Sequence, residues 1–135
     1  MAFFARNALL LMLLMLILIM SDAVTVVIEN YLWDQSGDSP LKVHCKSKDD
    51  DLGVHAVPLA DSYEFKFHPN IWRTTLFYCS FEWQGQLHHF DIYDQGRDGG
   101  CVLDDSVCLW RIQVNGPSRF NGYTGSYDLL YAWKD

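Results

Sequence analysis

The sequence predicts an all-β fold: a small antiparallel β-sandwich of about seven to nine short strands, held by two disulfides and preceded by a cleaved signal peptide. Three features lead there. Apolar and polar residues alternate with period two in successive windows of residues 24–135, as half-buried strands require. The windows recur about every ten residues with turn-forming residues between them, and none beyond residue 23 sustains a 3.6-residue period. All four cysteines fall after an apolar N-terminal run, as expected of an exported, oxidised chain.

That run, residues 8–20, is thirteen uninterrupted apolar residues, with Arg6 before it and Ser21-Asp22-Ala23 after it. A charged n-region, an apolar h-region and a small-x-small site describe a signal peptide. Thirteen residues rise about 20 Å as a helix, short of a bilayer core of roughly 30 Å, so no stable membrane insertion is expected. Residues 1–23 are the expected signal peptide and 24–135 the expected single domain. Cleavage after Ala23 leaves 112 of 135 residues, with 9 basic and 16 acidic side chains. That acidic balance argues against nucleic acid as a partner, because no basic stripe exists to displace counterions.

The strands follow in order. Val24 to Ile28 opens as a β-branched strand, and Asn30–Ser39, closed by Pro40, reads as a loop. Leu41, Val43 and Cys45 alternate with Lys42, His44 and Lys46. The charged turn Lys48–Asp51 leads into Leu52-Gly53-Val54. Tyr63, Phe65 and Phe67 mark a half-buried strand ended by Pro69-Asn70. Phe77, Cys79, Phe81 and Trp83 share one face, with Tyr78, Ser80 and Glu82 on the other. Gln84-Gly85-Gln86 is a tight turn, so Leu87 to Tyr93 returns antiparallel. Asp94–Gly100 reads as a mobile Gly-rich loop. Cys108, Trp110, Ile112 and Val114 form the next apolar face, broken at Asn115-Gly116-Pro117. Leu129, Tyr131 and Trp133 line a last strand.

Cys45, Cys79, Cys101 and Cys108 lie 34, 22 and 7 residues apart, without the C-x-x-C spacing of a zinc site. Two disulfides are expected. Of the three possible pairings, Cys45–Cys108 with Cys79–Cys101 is preferred, and a tight Cys101–Cys108 bridge is the rival.

Little points to catalysis. His88 and His89 face opposite sides of a strand, and no serine sits in a G-x-S-x-G elbow. Lys48-Asp49-Asp50-Asp51 lacks the spacing of an EF-hand loop. No enzyme activity, cofactor or metal is therefore predicted, and no N-x-Ser/Thr sequon occurs. Recognition is expected in loops, which vary without disturbing the sheets. The candidate partner-binding residues are Asp49, Asp50 and Asp51, with Asp94, Arg97 and Asp98 in the Gly-flanked loop. Of the five tryptophans, Trp33 and Trp72 adjoin loop residues and are the best candidates for exposure.

The order of Leu41-Lys42-Val43-His44-Cys45-Lys46-Ser47-Lys48-Asp49-Asp50-Asp51-Leu52-Gly53, Phe77-Tyr78-Cys79-Ser80-Phe81-Glu82-Trp83, Phe90-Asp91-Ile92-Tyr93, Arg97-Asp98, Cys101 and Cys108-Leu109-Trp110 resembles the plant self-incompatibility protein S1 family, the S-protein homologues. The resemblance spans essentially residues 24–135. It implies a small secreted plant protein with a disulfide-held β-sandwich, acting as a signalling ligand for a cell-surface receptor; a monomer is expected, and a secreted defence protein that binds a carbohydrate or a microbial surface is the alternative reading. In poppy, such ligands are carried by the pistil and trigger rejection of self pollen; most members occur in plants without that system. By resemblance the four cysteines match the family cysteines, and Trp83 and Trp110 match its core aromatics. No catalytic residue carries over.

Overall fold

The computed structural model describes residues 2–19, 23–33, 39–101 and 106–135. Ser21 and Asp22 of the expected cleavage motif and residues 34–38 of the expected 30–39 loop lie outside the described residues. Among the described residues, an N-terminal helix, α1 (Ala2–Ile19), precedes nine strands: β1 (Val24–Asn30), β2 (Leu41–Lys46), β3 (Asp51–Val57), β4 (Ser62–Phe67), β5 (Leu76–Trp83), β6 (Gln86–Asp94), β7 (Val107–Gln113), β8 (Gly116–Asn121) and β9 (Ser126–Leu130). A four-residue helix, α2 (Gln95–Asp98), follows β6. Residues 9–16 of α1 are exposed, and none belongs to the hydrophobic core. No helix among the described residues is long and apolar enough to cross a membrane.

The strands form two sheets, ordered β4-β1-β7-β8-β9 and β3-β2-β5-β6. All pairs are antiparallel except β1 and β7, which run parallel with Ile28 opposite Trp110. Alternation decides which side chains turn inward. Val24, Val26 and Ile28 are buried in β1, Leu41, Val43 and Cys45 in β2, Phe77, Cys79, Phe81 and Trp83 in β5, and Cys108, Trp110 and Ile112 in β7. Rings join the sheets: Phe90 meets Trp110 edge-on at 5.3 Å, and Phe67 and Phe77 pack at 4.6 Å. Each buried large side chain contributes roughly 1.5–3 kcal/mol relative to exposure, so this shared interior is the main stabilising term. The β5–β6 hairpin closes on Gln84 and Gly85, both at positive φ, as a two-residue turn of that hand requires.

The disulfides differ from the preferred pairing. Cys45 bridges Cys79 and Cys101 bridges Cys108. Cys45 and Cys79 sit directly opposite each other in the β2–β5 ladder, 4.0 Å apart at Cα. Cys108 is on β7 in the other sheet, and the chain leaving α2 brings Cys101 to within 4.9 Å of it. Alternation assigns a cysteine to a face, but it does not say which strand lies alongside.

Two strands arise where no alternation announced them. β3 is an edge strand with only Val57 fully buried, and β8 begins Gly-Pro-Ser. The last strand stops at Leu130, and residues 131–135 continue as an extended strap. Its ties reach both sheets: Tyr131 N–H donates to the Pro117 carbonyl, Trp133 Nε1 to Val114, and Lys134 N–H to His89 on β6.

Candidate functional site

A groove of about 760 Å³ opens at one end of the sandwich, between the 47–50 turn and the 70–75 loop. Phe67 and Phe77 lie at its base, where the aromatic cluster reaches the surface. Trp72 and Tyr78 are exposed over it, Trp72 at 77%. Asp49, Asp50, Lys48 and Lys66 also belong to its lining. Neither aspartate's carboxylate is engaged by another described residue, nor is the Trp72 ring.

The loop carrying Trp72 is fixed by its neighbours. Asn70 Oδ1 accepts from Thr74 N–H at 3.0 Å, and Asn70 Nδ2 donates to Thr74 Oγ1 at 3.0 Å. Thr75 Oγ1 accepts from Asn70 N–H at 2.8 Å. Gln95, the first residue of α2, braces the loop from behind: its Nε2 donates to the Asn70 carbonyl, its Oε1 accepts from Thr75 N–H, and its own N–H donates to the Thr75 carbonyl. An exposed indole on a loop held this way loses little conformational freedom when a partner binds.

The expected partner-binding residues separate into two kinds. Asp49 and Asp50 are exposed in the turn closed by Ser47 N–H donating to the Asp50 carbonyl. Asp51 is pinned: its Oδ1 accepts from Gly53 N–H and lies 2.6 Å from His44 Nε2. These contacts, the Gly53 bond first and His44 second, hold its carboxyl below the usual range. The expected 94–100 loop instead contains α2. Asp94 caps it, with Oδ1 accepting from Gly96 N–H at 3.0 Å.

Asp98, expected to reach outward, turns inward, and its side chain is fully sealed from solvent. It accepts from Arg97 at 2.7 and 2.8 Å, from Arg119 at 2.6 Å and from Asp94 N–H at 2.9 Å. A carboxylate with three donor groups around it is satisfied where it stands and has no lone pair to spare for a partner. The Arg97 guanidinium lies over the rings of Phe90, Trp110 and Tyr131 at 5.0, 5.4 and 5.1 Å. Arg97 and Asp98 therefore fasten α2 to the aromatic core. The sequence shows a charged pair between glycines, which reads as a solvated turn; only the fold brings Arg119 to it.

Trp33 is also exposed, at 57%, while Trp83 and Trp110 are buried. Lys134 Nζ pairs with Asp91 at 2.8 Å, and His89 N–H donates to Asp135, so the His89–Asp91 face is occupied by the C-terminal strap. Among the described residues, no group of three or more His, Cys, Asp or Glu side chains is placed to hold a metal. Sequence reading missed Tyr78 as a groove residue and Asn70, Thr75 and Gln95 as its supports. Tyr78 alone carried a signal, as the outward residue of an alternating strand.

Residues 25–133 match the family model described as plant self-incompatibility protein S1. The chain is 50% identical over 98 residues to S-protein homolog 5 of Arabidopsis thaliana, covering 73% of this chain and 71% of that protein. It is 44% identical over 113 residues to S-protein homolog 2 of the same plant, covering 81% and 67% respectively. Among solved structures it is similar to a chain from the SPH (Self-Incompatibility Protein Homologue) proteins, described as a widespread family of small, highly stable, secreted proteins from plants. That likeness has a TM-score of 0.53 at 20% identity and covers 75% of this chain and 86% of the other, and it supports the shared fold.

Proposed function

The chain belongs to the plant self-incompatibility protein S1 family, and from that footing we propose that it is a non-enzymatic extracellular ligand that meets a cell-surface receptor protein through the groove end of its sandwich. It is a small secreted protein. In this reading residues 1–23 are a signal peptide removed after Ala23, and residues 24–135 act as a single monomeric domain. Rejection of self pollen is one response such a ligand would serve.

One observation carries the reading. Trp72 stands 77% exposed on a loop that hydrogen bonds hold in place, on a groove it shares with Phe67, Phe77 and two carboxylates that no other described residue engages. Exposing an indole costs hydrophobic free energy, and rigid aromatic anchors carry much of the energy at protein contacts. The test is binding of the tagged, secreted protein to plant plasma-membrane vesicles. Saturable binding that trypsin treatment of the vesicles abolishes is expected, weakened about tenfold by Trp72→Ala. Absence of saturable binding, or binding indifferent to Trp72→Ala and to Asp49→Ala with Asp50→Ala, rejects the reading.

A further inference from the structure

We propose that the groove beneath Trp72 is a saccharide site, and that it holds a stretch of neutral sugar chain carried by the cell-surface receptor. The inference rests on the groove end being the contact face and adds the chemical class of what enters it.

Three features of the groove match a sugar. A pyranose ring presents an apolar C–H face and a rim of hydroxyls. The C–H face packs on an exposed flat ring, and Trp72 and Tyr78 supply two over one groove. Vicinal hydroxyls donate to carboxylates, and the Asp49 and Asp50 carboxylates are both unengaged by other described residues and both on the lining. The space, about 760 Å³, is that of a ligand site rather than a crevice between side chains.

The charges further narrow the class. Lys48 and Lys66 share the lining with Asp49 and Asp50, so the groove favours neither a polyanion nor a polycation. The whole chain carries a net charge of −7, which repels acidic polysaccharides at long range. The walls are also built before the ligand arrives, because Asn70, Thr75 and Gln95 fix the Trp72 loop. Weakly attractive sugars gain most from such a preformed surface.

The experiment is calorimetric titration of the purified, oxidised secreted protein with neutral glucan, mannan and xylan oligosaccharides. Polygalacturonate serves as the acidic comparison. At least one neutral oligosaccharide should bind with Kd from about 0.1 to a few mM, more tightly than polygalacturonate. Trp72→Ala should weaken it at least tenfold, Trp72→Phe should retain most of the affinity, and Trp33→Ala should leave it unchanged. The same sugar should displace the protein from membrane vesicles. No neutral sugar binding, binding indifferent to Trp72→Ala, or preference for polygalacturonate overturns the inference. If vesicle binding depends on Trp72 while no sugar binds, the groove contacts polypeptide, and the receptor reading survives without the saccharide. If sugars bind through Trp72 but vesicles do not, the receptor reading fails and the site stands.

Discussion

Asp98 and Arg119, on α2 and β8, meet at 2.6 Å in an ion pair whose carboxylate is wholly shielded from solvent. Arg97 closes the other side of the same carboxylate at 2.7 Å. Removing the acid leaves two guanidinium groups without their counter-charge, one of them nearly buried. Asp98→Ala is therefore expected to destabilise the protein by about 3–5 kcal/mol, whereas Asp49→Ala changes stability by less than about 0.5 kcal/mol. Urea denaturation of the two variants makes the comparison. Similar midpoints would mean that the α2 knot does not hold the fold.

The two bridges close loops of very different length, with sequence separations of 34 and 7. By chain entropy, replacing Cys45 and Cys79 with alanine costs about 4 kcal/mol, and replacing Cys101 and Cys108 costs about 2 kcal/mol. The Cys45–Cys79 variant should show the larger fall in Tm. The reverse order would show that the short bridge works through the native state, by tying β7 at Cys108 to Cys101 just beyond α2.

How much of this was legible in the sequence depends on the distance over which each signal acts. Inward alternation is local, so Val43, Phe81, Trp110 and their strands could be read directly, and Trp72 could be placed outside because it sits between loop residues. β8 could not be read, because Gly116-Pro117 looks like a break until β7 and β9 flank it. Nor could the disulfide partners, which depend on strand order. For the same reason Arg97 and Asp98 looked like solvated loop charges: their partners Trp110, Arg119 and Tyr131 arrive from the opposite sheet and the strap. The groove itself required two distant stretches of chain, 47–50 and 66–78, to converge, although two of its parts, the 49–50 acids and Trp72, were each visible alone.

Gly116 starts β8 at φ +144°, under the strap. A Cβ there would collide with the Tyr131 carbonyl, which is backbone and cannot rotate away. Gly116→Ala is expected to lift residues 131–135 and cost about 2 kcal/mol or more, combining strain with lost strap contacts. Hydrogen exchange should accelerate at the Tyr131 and Lys134 amides, which donate to Pro117 and His89. Unchanged protection at both amides would place the strap's anchorage elsewhere.

Tyr93 links the core to α2, its hydroxyl donating to the Gly99 carbonyl at 2.6 Å. Burial, with Asp98 and Asp94 adding negative potential, pushes its pKa up to about 12 from the ordinary 10. The direction of the pH effect follows. Between about pH 10 and 12 the unfolded chain has released this proton while the folded chain keeps it, so the unfolded state binds fewer protons and stability falls as pH rises. Below pH 10 both states are protonated and the contribution is complete. Tyr93→Phe cannot ionise. It should lose about 1 kcal/mol at neutral pH with the hydrogen bond, yet decline less steeply than the parent protein between pH 10 and 12. Parallel stability curves for the two proteins across that window would show that the phenol is not held neutral by its surroundings.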